Sequence, residues 1–149
     1  MDDTTIIEVS DNINSTALQD DANTADEWSN RNDMSINATK TFEIRMDFSK
    51  IRGSVNQLFI DNTPIEVVHH SKILGVIVSD DLKWNKHVEY ITRKASQRLH
   101  LLVLCRRAGI GNNEIKLMYI TKIRPVLEYA CAAWHPGLCQ YLNDDIERI

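Results

Sequence analysis

Between Trp84 and Gly109 the sequence WNKHVEYITRKASQRLHLLVLCRRAG repeats its apolar residues with a helical period. Trp84, Val88, Ile91, Ala95, Leu99 and Leu102 follow one another at steps of four, three, four, four and three, which keeps them on one face at 3.6 residues per turn. At about 100° per residue, Lys83, Lys86, Tyr90, Arg93, Lys94 and Gln97 gather on the opposite side. A long amphipathic helix of this kind needs a core on one side and accepts anions or solvent on the other. The bland alternative is a solvated surface helix.

The charge distribution sharpens that choice. The formal net charge of -4 conceals two opposed halves. From Met1 to Lys40 nine acids face two bases, a net -7, whereas from Leu82 to Arg124 ten bases face two acids, a net +8. Such segregation points to an anionic partner for the second half, with nucleic acid the leading class. A chain of 149 residues suffices for one core and little more, so one domain or a piece of one is expected. Cys105, Cys131 and Cys139 are odd in number and lack a Cys-x-x-Cys pair, which argues against a disulfide framework and a zinc knuckle. No apolar run approaches the roughly 20 residues of a membrane span. A soluble protein of a reducing intracellular compartment, nucleus or cytoplasm, is expected, without a membrane partner.

In chain order, Thr4 to Val9 reads as a short β-branched strand ending at a Ser10-Asp11-Asn12 turn. Leu18, Ala22, Ala25 and Trp28 form the stripe of a helix over about 16–32, with Ser15 or Thr16 suited to cap it. From Thr41 to Phe48 strict alternation sets Phe42, Ile44, Met46 and Phe48 against Glu43, Arg45 and Asp47, the clearest strand pattern in the chain. A loop around Gly53 follows. Leu58 to Ile60 and Ile65 to Val68 flank an Asp61-Asn62-Thr63-Pro64 turn, and Ile73 to Val78 reads as one further strand with Gly75 inside it. Asp80 or Asp81 is suited to start the long helix or the turn before it. Gly109 stops that helix, and Asn112 or Asn113 is placed to cap the next. Pro125 predicts a kink or a new helix start within 115–130, and Tyr141 to Ile149 reads as a last helix.

No histidine spacing matches a helical zinc pair or an iron facial triad, so His69, His70, His87, His100 and His135 are expected to be surface or half-buried packing residues. Cys105, although beside Arg106 and Arg107, reads as a buried packing cysteine. Trp28, Trp84 and Trp134 are expected in the core or at an interface.

The order of these features carries more than any one of them. Met1-Asp2-Asp3 with a strand, an acidic helix ending in Trp28, Asn37-Ala38-Thr39-Lys40-Thr41 with a strand, a hairpin and then Leu74-Gly75-Val76 resembles the end of the palm and the thumb of reverse transcriptases from non-LTR (LINE-type) retrotransposons. Trp84-Asn85-Lys86-His87-Val88, Ile123 to Ala130 and Trp134 resemble that family's thumb helices, and Lys72 to Val78 its primer-grip hairpin strand. The resemblance implies an α+β fold, a truncated palm remnant with a small antiparallel sheet over 1–80 followed by a helical thumb over 81–149. It also assigns Asp2 and Asp3 to catalytic metal, Mg2+ in the parent enzyme, and makes Lys40 the residue that assists pyrophosphate departure. The parent's partner is an RNA or DNA template–primer. Lys83, Lys86, Tyr90, Arg93, Lys94 and Arg98 become the expected nucleic-acid contacts.

The aromatic residue before the two aspartates, the remaining palm motifs and the fingers have no counterpart in the sequence. Two-metal chemistry needs ions about 3.5–4 Å apart held by carboxylates from separate strands, which two adjacent aspartates do not supply. The isolated chain is therefore expected to be inactive, to hold no cofactor of its own, and at most to bind nucleic acid. Two other readings stand beside this one. The first is a repurposed protein-interaction module that self-associates or binds a protein through exposed apolar faces. The second follows from a resemblance of 84–109 to a short module at the N-terminus of AlkB-type dioxygenases that act on tRNA, without that family's iron ligands.

Overall fold

The computed structural model describes residues 4–10, 16–48 and 56–149. The chain divides into two compact units, Met1–Ser71 and Lys72–Ile149. It is a mixed α+β protein whose strands form short two-stranded ladders.

In the first unit, helix α1 runs from Ala17 to Arg31. Ala22 is buried and Leu18 and Ala25 are half-buried, as their spacing predicts, but Trp28 at the end of the stripe is 59% exposed. Thr16 makes no capping bond with its side chain. The Glu8 carboxylate accepts from the Leu18 N–H at 3.0 Å, placing a negative charge on the orphan amides of the first turn. That use of Glu8 accompanies a correction: residues 4–10 form no strand. The Ser15 cap, most of the turn at Ser10-Asp11-Asn12 and the Gly53 loop centre lie outside the described residues.

The clearest alternation in the sequence is also corrected. Only Phe42–Glu43, strand β1, is strand, and it is Glu43 that is buried while Phe42, Met46 and Phe48 are exposed. The inversion has an electrostatic cause. Arg45 donates to both Glu43 carboxylate oxygens, at 2.7 and 2.9 Å, and a paired carboxylate can be buried where a lone one cannot. Strand β2, Phe59–Ile60, and β3, Thr63–Pro64, form an antiparallel hairpin. Its turn is Asp61-Asn62 alone, both at positive φ, as a two-residue hairpin of this hand requires. Strand β4, Glu66–Val67, then pairs with β1 in parallel. On the outer edge of β2, the Gln19 side-chain amide donates to Phe59 O at 2.8 Å and accepts from Phe59 N–H at 2.9 Å, closing part of an otherwise unpaired strand edge.

A second hairpin leads into the other unit. The run Ile73 to Val78 is not one strand: β5, His70–Ile73, and β6, Val76–Ser79, pair with each other. Leu74 and Gly75 between them sit at φ 46° and 91°. A two-residue link can join only antiparallel neighbours. The β-branched residues on both sides of the turn disguise the break in the sequence.

Helix α2 spans Asn85–Arg107. Val88, Ile91 and Ala95 are at most 3% exposed, and Leu99 and Leu102 are half-buried against the same core. Asp81 supports the approach to the helix by accepting from the Lys83 N–H at 2.9 Å. At the far end Gly109, φ 90°, donates to Arg106 O and Ile110 to Cys105 O, the paired bonds of a Schellman stop. Helix α3, Asn112–Met118, starts with Asn112 already inside it, so neither Asn112 nor Asn113 serves as the cap. A π turn, Tyr119–Ile123, separates α3 from α4, Arg124–Glu128, in which Pro125 occupies the first turn. Proline has no N–H to donate, and the wider turn before it absorbs the missing bond. Helix α5, Cys131–Trp134, follows a left-handed Ala130, and α6, Gln140–Glu147, ends the chain. Ile91, Ala95, Ile123, Leu127 and Trp134 form the core of this unit.

Candidate nucleic-acid interface

The buried side of α2 fixes which way its cations point. Beyond the apolar stripe, His87 is 1% exposed and packs its ring edgewise against Trp84 and Trp134, with centroids 6.3 and 5.1 Å away. Its Nδ1 accepts from the Ile77 N–H at 3.3 Å, which ties α2 to β6. Burial holds its pKa below the ordinary value of 6.5. This histidine lies deeper than the sequence implies: it is a core residue that joins helix to hairpin. The hairpin turn has a second tie, because the Tyr129 hydroxyl donates to Leu74 O at 3.0 Å and the Trp134 indole donates to Tyr129 O at 2.9 Å.

The six expected contact residues do not form one uniform face. Lys83 lies just ahead of α2 and pairs with Asp81 at 3.7 Å, and Lys86 pairs with Glu89 at the same distance. Both pairs are exposed, and pairs of this kind are held weakly in water. Arg98 is half-buried and donates to Lys122 O, satisfying a carbonyl of the π turn rather than facing outward. Tyr90 is half-buried, and its hydroxyl meets Lys72 Nζ at 3.0 Å and Lys94 Nζ at 3.5 Å. Those bonds, Lys72 first and Lys94 second, lower the Tyr90 pKa from its ordinary value. Arg93 is exposed, and no ion pair forms at Arg93, Lys72 or Lys94 among the described residues. Lys72, Arg93 and Lys94 are thus without a carboxylate partner among the described residues, as are Arg98, Arg106, Arg107, Lys116 and Lys122 of the same unit.

Lys72 escapes a reading of the helix alone. It sits on β5, and only the turn at Leu74-Gly75 brings that strand back beside β6, which packs on α2. The signal is the Leu-Gly pair inside an apolar run, followed two residues earlier to an exposed lysine.

The residues assigned to chemistry are elsewhere. Lys40 ends a 3₁₀ turn, Ala38–Lys40, on the surface of the first unit, and Asp2 and Asp3 lie outside the described residues. Among the described residues no group of three His, Cys, Asp or Glu side chains is placed to hold a metal ion. A shallow depression lined by Ile120, Arg124, Pro125, Glu128 and Tyr129 carries one ion pair, Arg124 to Glu128 at 2.6 Å. Of the three tryptophans, Trp134 is fully buried, Trp84 is half-buried and Trp28 is exposed. Cys105 is half-buried, whereas Cys131 and Cys139 are exposed. No helix is long and apolar enough to cross a membrane among the described residues.

Fold and surface together define a mixed α+β chain whose second unit presents an uncompensated cationic row on a helix and a hairpin. The chain is similar to the probable RNA-directed DNA polymerase of transposon X-element from Drosophila melanogaster, with 25% identity over 119 residues. The match covers 78% of this chain and 13% of that polymerase, so the chain spans about an eighth of its relative's length. No protein-family model matches the chain, and no solved structure matches it. The similarity supports the relationship to transposon reverse transcriptases that the order of motifs implies.

Proposed function

We propose that the chain is a piece of a retrotransposon RNA-directed DNA polymerase, a C-terminal palm remnant and thumb, whose second unit holds the backbone of a template–primer duplex. One observation carries this reading: in a chain similar to a transposon polymerase, exposed Lys72 and Arg93 and half-buried Lys94 have no carboxylate partner among the described residues, while the opposite side of α2 is buried. Backbone contacts of this kind position a nucleic acid without reading its sequence.

These residues alone do not extend a primer. Asp2, Asp3 and Lys40 are the only matches to catalytic motifs, and a two-metal site draws carboxylates from separate strands. In the parent enzyme Asp2 and Asp3 would take part in holding Mg2+, which supplies charge stabilisation to the transferring phosphoryl group.

The test is duplex binding followed by fluorescence anisotropy at several salt concentrations, comparing the 149-residue chain with Arg93→Ala/Lys94→Ala. Binding that weakens with salt, and a shallower slope in the variant, is the expected result. Absence of binding, or an affinity independent of salt, returns α2 to a solvated face. Template-dependent incorporation in a primer-extension assay with magnesium or manganese would overturn the proposed inactivity.

Leu101, Leu104, Leu117 and Ile120 are exposed, between 43% and 61%, and favour a second use as a protein-docking face. Concentration-dependent association without nucleic-acid binding would support that use instead.

A further inference from the structure

We infer that Lys72, Tyr90 and Lys94 form a seat for a single backbone phosphate, supplied jointly by the β5–β6 hairpin and α2. The inference rests on the nucleic-acid reading above and narrows it to one site.

The arrangement is unusual for three exposed or half-buried side chains. Both ammoniums meet the same phenol oxygen, at 3.0 and 3.5 Å, so they lie within about 6.5 Å of each other. Both lie at the hydroxyl end of the ring, 4.9 and 5.5 Å from its centroid. Like charges at that distance repel, and a neutral phenol only partly offsets the repulsion. Four other cations of the same unit, Lys83, Lys86, Arg124 and Arg148, each have a carboxylate within 4.0 Å. Lys72 and Lys94 have none among the described residues, and neither have Arg93, Arg98, Arg106, Arg107, Lys116 and Lys122; what sets Lys72 and Lys94 apart is that both ammoniums meet one oxygen. An anion from outside would supply the counter-charge that this close pair lacks.

Donor geometry indicates its chemistry. The phenol oxygen accepts from the lysines, which leaves its own O–H to donate, and each ammonium has further protons. Charge-assisted bonds of about 2.8 Å from both ammoniums to the two free oxygens of a phosphodiester span their separation. The depressed Tyr90 pKa marks a hydroxyl that donates more strongly than an ordinary phenol. Arg93, exposed and one residue before Lys94, adds a further cation nearby, which suits a polyanion rather than an isolated carboxylate. With both ammoniums at its hydroxyl, Tyr90 joins the two cations through one oxygen.

The seat is held in advance of binding. Ile77 N–H to His87 Nδ1 and Tyr129 hydroxyl to Leu74 O fix the hairpin to the helical part, and these bonds determine where Lys72 stands relative to α2. A seat built from two elements also differs from a general cationic face in one measurable respect: both lysines serve one phosphate.

The experiment measures binding of a fluorescein-labelled DNA duplex of about 20 base pairs, at salt from about 50 to 200 mM, to the 149-residue chain and to its Lys72→Gln, Lys94→Gln and double variants. Each is first checked for an unchanged circular-dichroism melt. The double variant should lose about tenfold in affinity, and its slope of log K against log salt should be shallower by about 0.9, the value for one phosphate. Tyr90→Phe, which keeps the ring and removes the donor, should lose about threefold at unchanged slope. A slope shallower by about 1.8 would mean two separate phosphates and would overturn the shared seat. Unchanged affinity in the double variant, with Arg93→Ala weakened, would also overturn the seat while leaving the nucleic-acid reading intact. Failure of the unaltered chain to bind would overturn both.

Discussion

Gly75→Ala tests the hairpin that carries Lys72. Gly75 sits at φ 91°, and a Cβ built there would stand 3.0 Å from Tyr129 Cε1 and 3.7 Å from its hydroxyl oxygen. Left-handed backbone costs an L-residue roughly 1–2 kcal/mol. Carbon atoms rest comfortably at about 3.5–4.0 Å, so the Tyr129 ring must retreat by about half an ångström or more. That ring is held by a 3.0 Å hydrogen bond from its hydroxyl to Leu74 O, and losing the bond costs about 1 kcal/mol. The sum is a destabilisation of about 2–3 kcal/mol. With a urea slope of roughly 1–3 kcal/mol per molar, the midpoint followed by far-ultraviolet circular dichroism should fall by about 0.7–3 M. Tyr129→Phe is the internal control, since it removes the bond without the strain and should cost about 1 kcal/mol. A Gly75→Ala chain within about 0.5 kcal/mol of the original would refute the tight turn, and with it the placement of Lys72 beside Tyr90.

The pH dependence of stability should carry the mark of His87. Its folded-state pKa is depressed by burial, so the unfolded chain takes up the proton first: stability is full above about 6.5 and declines as pH falls from there towards the folded value. Protonation also removes the Nδ1 lone pair that accepts the Ile77 N–H, and urea midpoints at pH 7.5 and 5.5 should converge in His87→Phe. An unaltered pH slope in that variant would assign the effect to other groups. In the first unit, Glu43→Ala strips the half-buried Arg45 of its bidentate partner and should cost about 1–3 kcal/mol, less than a fully buried pair because Arg45 is partly solvated. Urea unfolding measures it, and a neutral result would show that the inverted burial of β1 does not depend on this pair.

What was legible in the sequence follows from how local each signal is. The steps between Val88, Ile91 and Ala95 are set by helical geometry alone, so α2 and its buried stripe are visible in advance, as is the break at Gly109. Asp61 and Asn62 likewise announce a turn by residue type, although the turn uses two residues rather than four. Ile73 to Val78 misleads because β-branched residues flank the turn on both sides and only Gly75 breaks the run. Strand β1 misleads for another reason. Alternation says that two faces differ but not which is covered, and here Glu43, paired with Arg45, is buried while the apolar Phe42, Met46 and Phe48 are exposed.

The cationic face shows the same division. Lys94 and Arg93 can be placed from helical spacing. Arg98 cannot, because its diversion to Lys122 O depends on a π turn 24 residues away. Lys72 cannot either, since its place beside Tyr90 depends on a hairpin that the run of apolar residues conceals. The resemblance to a reverse-transcriptase thumb rests on the succession of motifs and not on any single one of them.

The most direct test of the nucleic-acid face is a lysine footprint. The chain is treated briefly with acetic anhydride, with and without a saturating DNA duplex, and the modification of each lysine is read by mass spectrometry. Lys72 and Lys94 should be protected most, Lys83 and Lys86 partly once the duplex competes with their carboxylates, and Lys40, on the surface of the first unit, should remain unprotected. Equal modification of Lys72 and Lys94 with and without bound duplex would contradict the account.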